Sequence, residues 1–233
     1  MSIAENVLRV KKNIVLAAER SGRAPSEVLL CAATKMNDAG RVREAIAAGV
    51  DICGENRVQE LCEKNAVGAY EGCPLHFIGH LQKNKVKFVV GTAALIHSVD
   101  SVELAEKIDA AAKKLGIRQD ILLEVNIGNE EAKSGFAPGE LLCAAEKISH
   151  FSSVQVRGLM AIPPICASPE ENRPYFAQMK QLFIDIGAKK YDNIRMDFLS
   201  MGMSADYETA IEEGANIVRV GTGIFGARDY GTK

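Results

Sequence analysis

The stretch Val28-Leu29-Leu30-Cys31-Ala32-Ala33-Thr34-Lys35 decides the fold, because a mostly apolar run leads directly into a lysine. A strand of a parallel sheet that is buried on both faces has such a continuous apolar run. Barrels and open α/β sheets place their chemistry at the carboxyl ends of these strands. Lys35 is therefore either a lysine that reaches solvent as the strand ends, or a partly desolvated amine that can attack carbonyl groups.

The same apolar signal recurs along the chain, separated by segments with helical spacing of apolar residues. Strands are predicted over residues 28–34, 51–54, 75–78, 95–99, 120–126, 155–161, 196–199 and 217–220. Helices are predicted over residues 2–20, 38–48, 57–64, 82–90, 101–115, 138–150, 169–186 and 207–213. This alternation favours an α/β fold, a single (β/α)8 TIM barrel with an extra N-terminal helix, in which residues 1–233 form one domain. An open doubly wound sheet is the alternative, because the number of strands does not by itself close a barrel.

Composition excludes several classes of protein. The chain has 233 residues, of which 47% are hydrophobic and 25% charged, as in an ordinary globular domain. The net charge of −2 provides no basic field for nucleic acid or an anionic membrane. No apolar stretch approaches the roughly 20 residues of a membrane span, and the start of the chain lacks the pattern of a signal peptide. The six cysteines show neither C-x-x-C nor zinc spacing, so we expect no metal site and a cytoplasmic location.

Small residues follow the last two predicted strands. The segments Leu199-Ser200-Met201-Gly202-Met203-Ser204 and Arg219-Val220-Gly221-Thr222-Gly223 are rich in glycine, serine and threonine. Such loops present N–H groups and hydroxyls to a phosphate, and barrels often bind phosphate after strands seven and eight. The alternative is structural: the glycines make turns, and Ser204 caps the following helix.

Arg219 lies within an apolar strand, where its permanent charge needs an acceptor. That acceptor is either a neighbouring acid or a ligand. A reactive lysine, a phosphate loop and a buried arginine at one barrel mouth together suggest pyridoxal 5′-phosphate (PLP). Lys35 would form a Schiff base with its aldehyde, and Arg219 would face its pyridine nitrogen.

These segments carry a resemblance that extends over nearly the whole chain. The matching stretches are residues 33–35, 54–60, 76–85, 125–126 with 133–135, 157–160, 199–206, and 219–222 with 224–226. In their order and number they resemble the YggS/PROSC family of pyridoxal phosphate homeostasis proteins. The resemblance implies a single (β/α)8 barrel similar to the N-terminal domain of alanine racemase. One departure is Met36-Asn37-Asp38, where the family often has proline shortly after the lysine.

The resemblance also implies the cofactor-binding residues. Lys35 corresponds to the Schiff-base lysine, and Arg219 to the partner of the pyridine nitrogen. The remaining implied positions are Ser200, Ser204, Gly221 and Thr222 at the phosphate, and Asn56, His80 and Met160 along the pocket.

The resemblance implies PLP binding and vitamin B6 homeostasis, and the residues favour a protein without catalytic turnover. Racemisation needs two bases on opposite faces of the substrate carbon, and no tyrosine lies at a predicted strand end; the five are Tyr70, Tyr175, Tyr191, Tyr207 and Tyr230. The alternative is a weak PLP-dependent racemase or lyase, with His80 as a proton shuttle. A phosphosugar aldolase is less favoured, because its lysine lies on a later strand.

Expected partners are PLP and PLP-dependent apo-enzymes, and the expected oligomeric state is a monomer. The basic cluster Lys83-Asn84-Lys85-Val86-Lys87 is either a solvated helix face or a docking patch.

Overall fold

In the computed structural model, which describes residues 1–226, eight parallel strands close into a barrel in chain order. The strands are β1 (Leu29–Ala33), β2 (Ile52–Glu55), β3 (Leu75–Phe77), β4 (Leu95–Val99), β5 (Gln119–Val125), β6 (Val154–Ala161), β7 (Ile194–Met203) and β8 (Ile217–Val220). The barrel closes where β8 pairs with β1, with Arg219 beside Cys31. The predicted barrel is therefore confirmed, and the open sheet is wrong.

Helices cover the outside of the barrel. They are α1 (Ile3–Arg20), α2 (Ala39–Ala47), α3 (Val58–Ala66), α4 (Val102–Leu115), α5 (Leu141–Ile148), α6 (Arg173–Gly187), α7 (Tyr207–Glu212) and α8 (Thr222–Phe225). Short 3₁₀ segments lie at Pro25–Glu27, Lys83–Phe88 and Pro169–Asn172. The fold thus keeps one helix after each strand except β3, which a 3₁₀ segment follows.

The extra N-terminal helix α1 is confirmed, and it supports the last loop of the barrel. Its start has a capping box, in which Ser2 and Glu5 bond each other's backbone N–H. On its inner face, the Asn6 side chain donates to the carbonyl of Ile224 at 2.9 Å, and Arg9 donates to that of Gly223 at 3.1 Å. Helix α1 thereby ties the segment after β8 to the other end of the chain.

The segment at 82–90 is not the predicted α-helix but the 3₁₀ segment Lys83–Phe88. Lys83 and Lys87 would lie four residues apart on one face of an α-helix, where like charges repel. Val86, between them, is buried, whereas the lysines are exposed. Lys83 pairs with Glu103, and Lys85 and Lys87 lie over the ring of Phe88. These contacts are those of a solvated face.

Strand β7 is longer than predicted. Residues after Leu199 are small and polar, so the sequence predicts a loop, yet pairing with β8 continues from Ser200 to Met203 across an irregularity in register. Gly202 has a φ of +87°, and a Cβ there would lie 2.5 Å from that of Ala210. Only glycine fits this close contact between the strand and α7.

Two apolar layers form the core. The larger one lies between strands and helices, and the smaller one fills the barrel interior. The interior residues are Cys31, Ile52, Ile78, Leu95, Leu122, Met160 and Ile217. Because these side chains close the interior, a ligand can enter only at the strand ends.

Within residues 1–226, no helix has the length and apolarity that a membrane crossing requires, and no group of three or more metal-ligating side chains is assembled. All six cysteines are free thiols.

Candidate functional site

Lys35 lies at the barrel mouth, in the turn directly after β1, and is half-buried. The residue before it, Thr34, is fully buried, and its hydroxyl lies 3.1 Å from the carbonyl of Gly54 and 2.9 Å from Glu55 Oε2. On the other side, a Cβ at Gly221 would lie 3.5 Å from that of Ala33. The backbone of Lys35 is therefore held between β2 and the glycine loop after β8.

A buried ion cluster lies behind Lys35. Lys64 Nζ is 2.8 Å from each of three acceptors, the Thr34 carbonyl and the carboxylates of Glu55 and Glu60. Glu55 is fully buried, and Lys64 is nine-tenths buried. We call Thr34, Glu55, Glu60 and Lys64 the anchor cluster. Its one cation bonds both carboxylates and the Thr34 carbonyl, so its role is to fix the backbone that carries Lys35.

The anchor cluster also holds the residue after Lys35. Glu60 Oε2 accepts a 2.7 Å hydrogen bond from the N–H of Met36. Burial would raise the pKa of Glu60, but the hydrogen bonds from Lys64 and Met36 outweigh it, so the pKa is lowered and the carboxylate stays charged. Met36 has a φ of +60°, a conformation that is uncommon for residues other than glycine. The turn at Lys35 is thus fixed on both sides.

Arg219 is a buried cation without an acidic partner among residues 1–226. Its Nη1 donates to Ser200 Oγ at 2.6 Å, and its Nη2 donates to the carbonyl of Ala161 at 2.8 Å. Burial lowers the pKa of Arg219, but a guanidinium keeps its proton in proteins. The sequence analysis left two acceptors open for Arg219, a neighbouring acid or a ligand. No salt bridge of Arg219 with an acid is found in the described part of the chain. These two bonds use two of the five N–H donors of the guanidinium.

Behind Arg219, polar side chains continue through the barrel interior. His97 Nδ1 lies 3.0 Å from Ser200 Oγ, and His97 Nε2 lies 2.9 Å from His76 Nδ1. Burial lowers the pKa of His76 to about 4 and that of His97 well below its ordinary value, the latter also through the charges of His76 and Arg219. Both imidazoles are therefore neutral near pH 7. We call Arg219, Ser200, His97 and His76 the polar column.

The glycine loop is organised by Ser204. Its Oγ accepts hydrogen bonds from the N–H groups of Gly221 and Gly223, each at 3.2 Å. The alternative that Ser204 caps the next helix is wrong, because Asp206 is the N-cap residue of α7. Thr222 is exposed at the start of α8. The structure therefore brings Ser204, Gly221 and Thr222 together, whereas Ser200 lies in the polar column.

The three predicted pocket residues occupy different depths. Asn56 is half-buried after β2, and its Oδ1 is a buried atom with no hydrogen-bond partner among residues 1–226. Met160 is 1% exposed and belongs to the interior apolar layer below the mouth. His80 is exposed, 3.4 Å from Asp100, and borders an open groove of about 520 Å³ together with Asn56 and Arg57.

The loops after β2 and β3 touch through their backbones. A Cβ at Gly79 would lie 2.0 Å from the carbonyl oxygen of Asn56, so only glycine permits this contact. Gly79 therefore fixes the position of Asn56 and the direction in which the chain leaves toward His80.

Glu124 is a site residue that the sequence analysis did not select. It ends an apolar run on β5, the same signal that identified Lys35. Its Oε1 lies 3.3 Å from the Ser134 hydroxyl, and its Oε2 is buried without a partner in the described residues. Burial and the charge of Asp100 raise its pKa, against the lowering influence of Ser134 and Arg219. His97 is also a polar residue within a buried strand, β4, so the sequence offered a similar reason to select it.

Comparison with known proteins places these features in a family. The family model described as "Alanine racemase, N-terminal domain" matches residues 6–229. A protein of Aquifex aeolicus named "Pyridoxal phosphate homeostasis protein" is 44% identical, over 99% of this chain and 100% of its own length. The structure of PipY of Synechococcus elongatus with PLP bound is 36% identical, with a TM-score of 0.81 over 97% of this chain and 100% of that one. An alanine racemase of Clostridium difficile, 15% identical with a TM-score of 0.76 over 97% of this chain and 58% of that one, shares the fold.

Proposed function

Because this chain belongs to the family of the pyridoxal phosphate homeostasis proteins, which carries the alanine racemase N-terminal domain, we propose that it binds PLP as a Schiff base of Lys35. In this proposal the protein takes part in intracellular vitamin B6 homeostasis without catalytic turnover. The solved structure of the relative PipY with PLP bound supports the choice of ligand.

The observation that carries the proposal is Arg219, a buried cation with donors that no acid among residues 1–226 satisfies. Arg219 on β8 pairs with Cys31 on β1, and Lys35 follows β1. The two residues therefore belong to neighbouring strands. A ligand with a ring nitrogen as acceptor would complete the hydrogen bonds of Arg219. Hydrogen-bond donors on the ligand would satisfy the unpartnered oxygens of Asn56 and Glu124.

The residues at the mouth fit the remaining groups of PLP. The hydroxyls of Ser204 and Thr222 at the glycine loop suit its phosphate, and the amine of Lys35 suits its aldehyde. The residues that would hold the cofactor are Lys35, Asn56, His80, Met160, Ser200, Ser204, Arg219, Gly221 and Thr222. Bound PLP supplies an electrophilic aldehyde and a ring that withdraws electrons. Arg219 would donate to an unprotonated ring nitrogen, which weakens that withdrawal and favours storage over turnover.

The positions of the tyrosines support the absence of turnover. Tyr70 is buried with its hydroxyl 3.2 Å from Glu55, in contact with the anchor cluster, and Tyr207 Oη accepts from Asn13 on α1. Tyr175 lies on α6, and Tyr191 precedes β7. Tyr230 falls outside the described residues. None of the four described tyrosines is at a strand end, where a second base would have to act.

We extend the proposal to the domain organisation, the oligomeric state and the partners of the protein. Residues 1–233 would form one PLP-binding domain, a monomer that passes the cofactor to apo-enzymes. The closed barrel and the family match over residues 6–229 support the single domain. Transfer would be tested by mixing loaded protein with an apo-enzyme: activation at the rate of free PLP release alone would contradict the carrier role.

Covalent binding is tested by Lys35→Ala against the matched control Lys12→Ala, which removes an exposed lysine on α1. Each protein is incubated with PLP, its visible absorbance is recorded, and the adduct is reduced with borohydride and located by peptide mass spectrometry. Wild type and Lys12→Ala should carry the reduced adduct on Lys35, and Lys35→Ala should carry none there and lose the visible band. A band that persists in Lys35→Ala would overturn the assignment.

Turnover is tested on the loaded wild type. The protein is incubated in heavy water with L- and D-amino acids, and deuterium at the α-carbon is measured. No exchange supports storage. Exchange with turnover would instead support the weak racemase or lyase, and it would direct attention to Glu124 and His80 as proton-transfer groups.

A further inference from the structure

We propose that His97 and His76 are positioning residues for Arg219, and that the polar column is a hydrogen-bond chain with one direction, from Arg219 through Ser200 and His97 to His76. The inference rests on the proposed function, because it concerns the arginine that would face the ring nitrogen of PLP. It also assigns Ser200 to this chain of hydrogen bonds, whereas the resemblance implies that Ser200 binds the phosphate of PLP.

The direction follows from the single proton of Ser200. The residue is fully buried, so its hydroxyl proton must find a protein acceptor. Its two polar neighbours are Arg219 and His97. A guanidinium only donates, so Ser200 accepts from Arg219 and must donate to His97 Nδ1.

That donation determines both imidazole tautomers. If His97 accepts at Nδ1, its one proton is on Nε2, and this N–H points along the 2.9 Å contact to His76 Nδ1. His76 then accepts at Nδ1 and carries its own proton on Nε2. Each of the three contacts along the column thereby joins a donor to an acceptor.

The polar column and a backbone carbonyl together fix Arg219 at two points. Ser200 holds one terminal nitrogen, and the carbonyl of Ala161 holds the other. Two contacts on a planar guanidinium define its plane, and hydrogen bonds that run in one direction polarise and strengthen one another. With both histidines neutral, Arg219 is the only charge in the column, so a second positive charge on a neighbouring ring nitrogen is disfavoured.

The same chain limits what Ser200 can do for a phosphate. Phosphate oxygens accept hydrogen bonds, and the one proton that Ser200 can donate goes to His97. Binding of phosphate to Ser200 would require both histidines to change tautomer. In the loop around Ser204, the N–H groups of Gly221 and Gly223 donate to Ser204 Oγ, which leaves the hydroxyl proton of Ser204 to donate to a phosphate.

The tautomers are tested in the protein without PLP. The histidines are labelled with ¹⁵N, and ring nitrogen and proton shifts are recorded near pH 7, with His80→Gln and His150→Gln used to assign signals. His97 and His76 should both have an unprotonated Nδ1 and a protonated Nε2. The opposite tautomers would overturn the directed chain. This measurement needs no cofactor, so it stands if the proposed function fails.

The positioning role is tested by a matched pair at one site. In His97→Asn, the side-chain oxygen replaces Nδ1 as acceptor for Ser200, whereas His97→Leu removes the acceptor. After PLP loading, the visible band and the rate of PLP release are measured. His97→Leu should shift the band and release PLP about two- to tenfold faster, as expected when a hydrogen bond between neutral groups is lost, and His97→Asn should stay close to wild type.

Ser200→Ala provides a second variant if His97→Leu does not fold, and it should show the same shifted band. Wild-type spectra and release rates in both His97→Leu and Ser200→Ala would overturn the positioning role. Failure of wild type to bind PLP would instead overturn the proposed function, and the tautomer measurement would then decide the column by itself.

Discussion

Two cations are buried among residues 1–226, and they are partnered in opposite ways. Lys64 of the anchor cluster lies 2.8 Å from two carboxylates and a carbonyl. Arg219 of the polar column bonds a hydroxyl and a carbonyl, and no acid in the described part of the chain pairs with it. Both are at most 9% exposed.

The difference separates structure from function. In the anchor cluster, all three protons of the Lys64 ammonium have acceptors within the protein, so no donor of this cation remains for a ligand. The effect of the cluster is therefore to hold the fold. A buried cation with remaining donors is expensive for the fold, and such a group persists where something else binds it. The anchor cluster therefore fixes the turn of Lys35, while in our proposal the polar column presents Arg219 to PLP.

Breaking the anchor cluster should have the largest effect on stability. Lys64→Met leaves the fully buried Glu55 without its cation, which should lower the free energy of unfolding by about 3–5 kcal/mol. Urea denaturation measures the loss, with Lys12→Met on the exposed face of α1 as the control. A loss below about 1 kcal/mol would mean that Glu55 is compensated by other groups.

The polar column should make stability depend on pH. The folded pKa of His76 is about 4, against an ordinary 6.5, so between these values the unfolded chain binds a proton that the folded chain does not. Stability is therefore retained above pH 6.5 and lost as the pH falls toward 4, by about 3 kcal/mol for this residue.

His97 adds a loss of the same sign, because burial also lowers its pKa. The measurement is the free energy of unfolding from pH 7 to pH 4 for wild type and His76→Asn. The pH slope should be shallower in the variant, since that side chain does not titrate. Parallel curves would contradict a buried, neutral His76.

Arg219→Met should have a smaller effect on stability, and one of different sign from Lys64→Met. It removes a buried charge without an acidic partner, so the free energy of unfolding should stay equal or rise by about 1 kcal/mol. Affinity for PLP, measured by titration, should nevertheless fall at least about tenfold, as when a hydrogen bond to a charged group is lost. A stability loss above about 2 kcal/mol would show that Arg219 is mainly structural.

An exposed pair should show the smallest effect. Lys83 pairs with Glu103, and both side chains are about half exposed or more. Lys83→Ala should change the free energy of unfolding by less than about 1 kcal/mol, and high salt should remove the difference. A larger effect in thermal or urea unfolding would mean that the 3₁₀ segment depends on this pair.

Where residues close together in the chain specify a strand, its predicted and observed bounds agree. The predicted and observed bounds of β4 and β8 coincide, because each is a short stretch that ends before a residue typical of turns, Asp100 or Gly221. The loop predicted after Leu199 was wrong, because pairing with β8 carries Ser200 and Met203 within the strand. Whether an acid pairs with Arg219 was likewise decided by what lies across the barrel, and among residues 1–226 none does.

By itself the sequence determined the alternation of strands and helices, the position of Lys35 at a strand end and the glycine-rich loop, since each depends on residues close together in the chain. Only the tertiary structure decided that the barrel closes, that Lys64 supports the turn of Lys35 and that Arg219 reaches His76 through Ser200 and His97. His97 and Ser200 are 103 positions apart, and the barrel closes through still more distant residues such as Leu29 and Ile217, so no local pattern encodes these contacts. They form because strands distant in the chain aim their inward side chains into one shared interior.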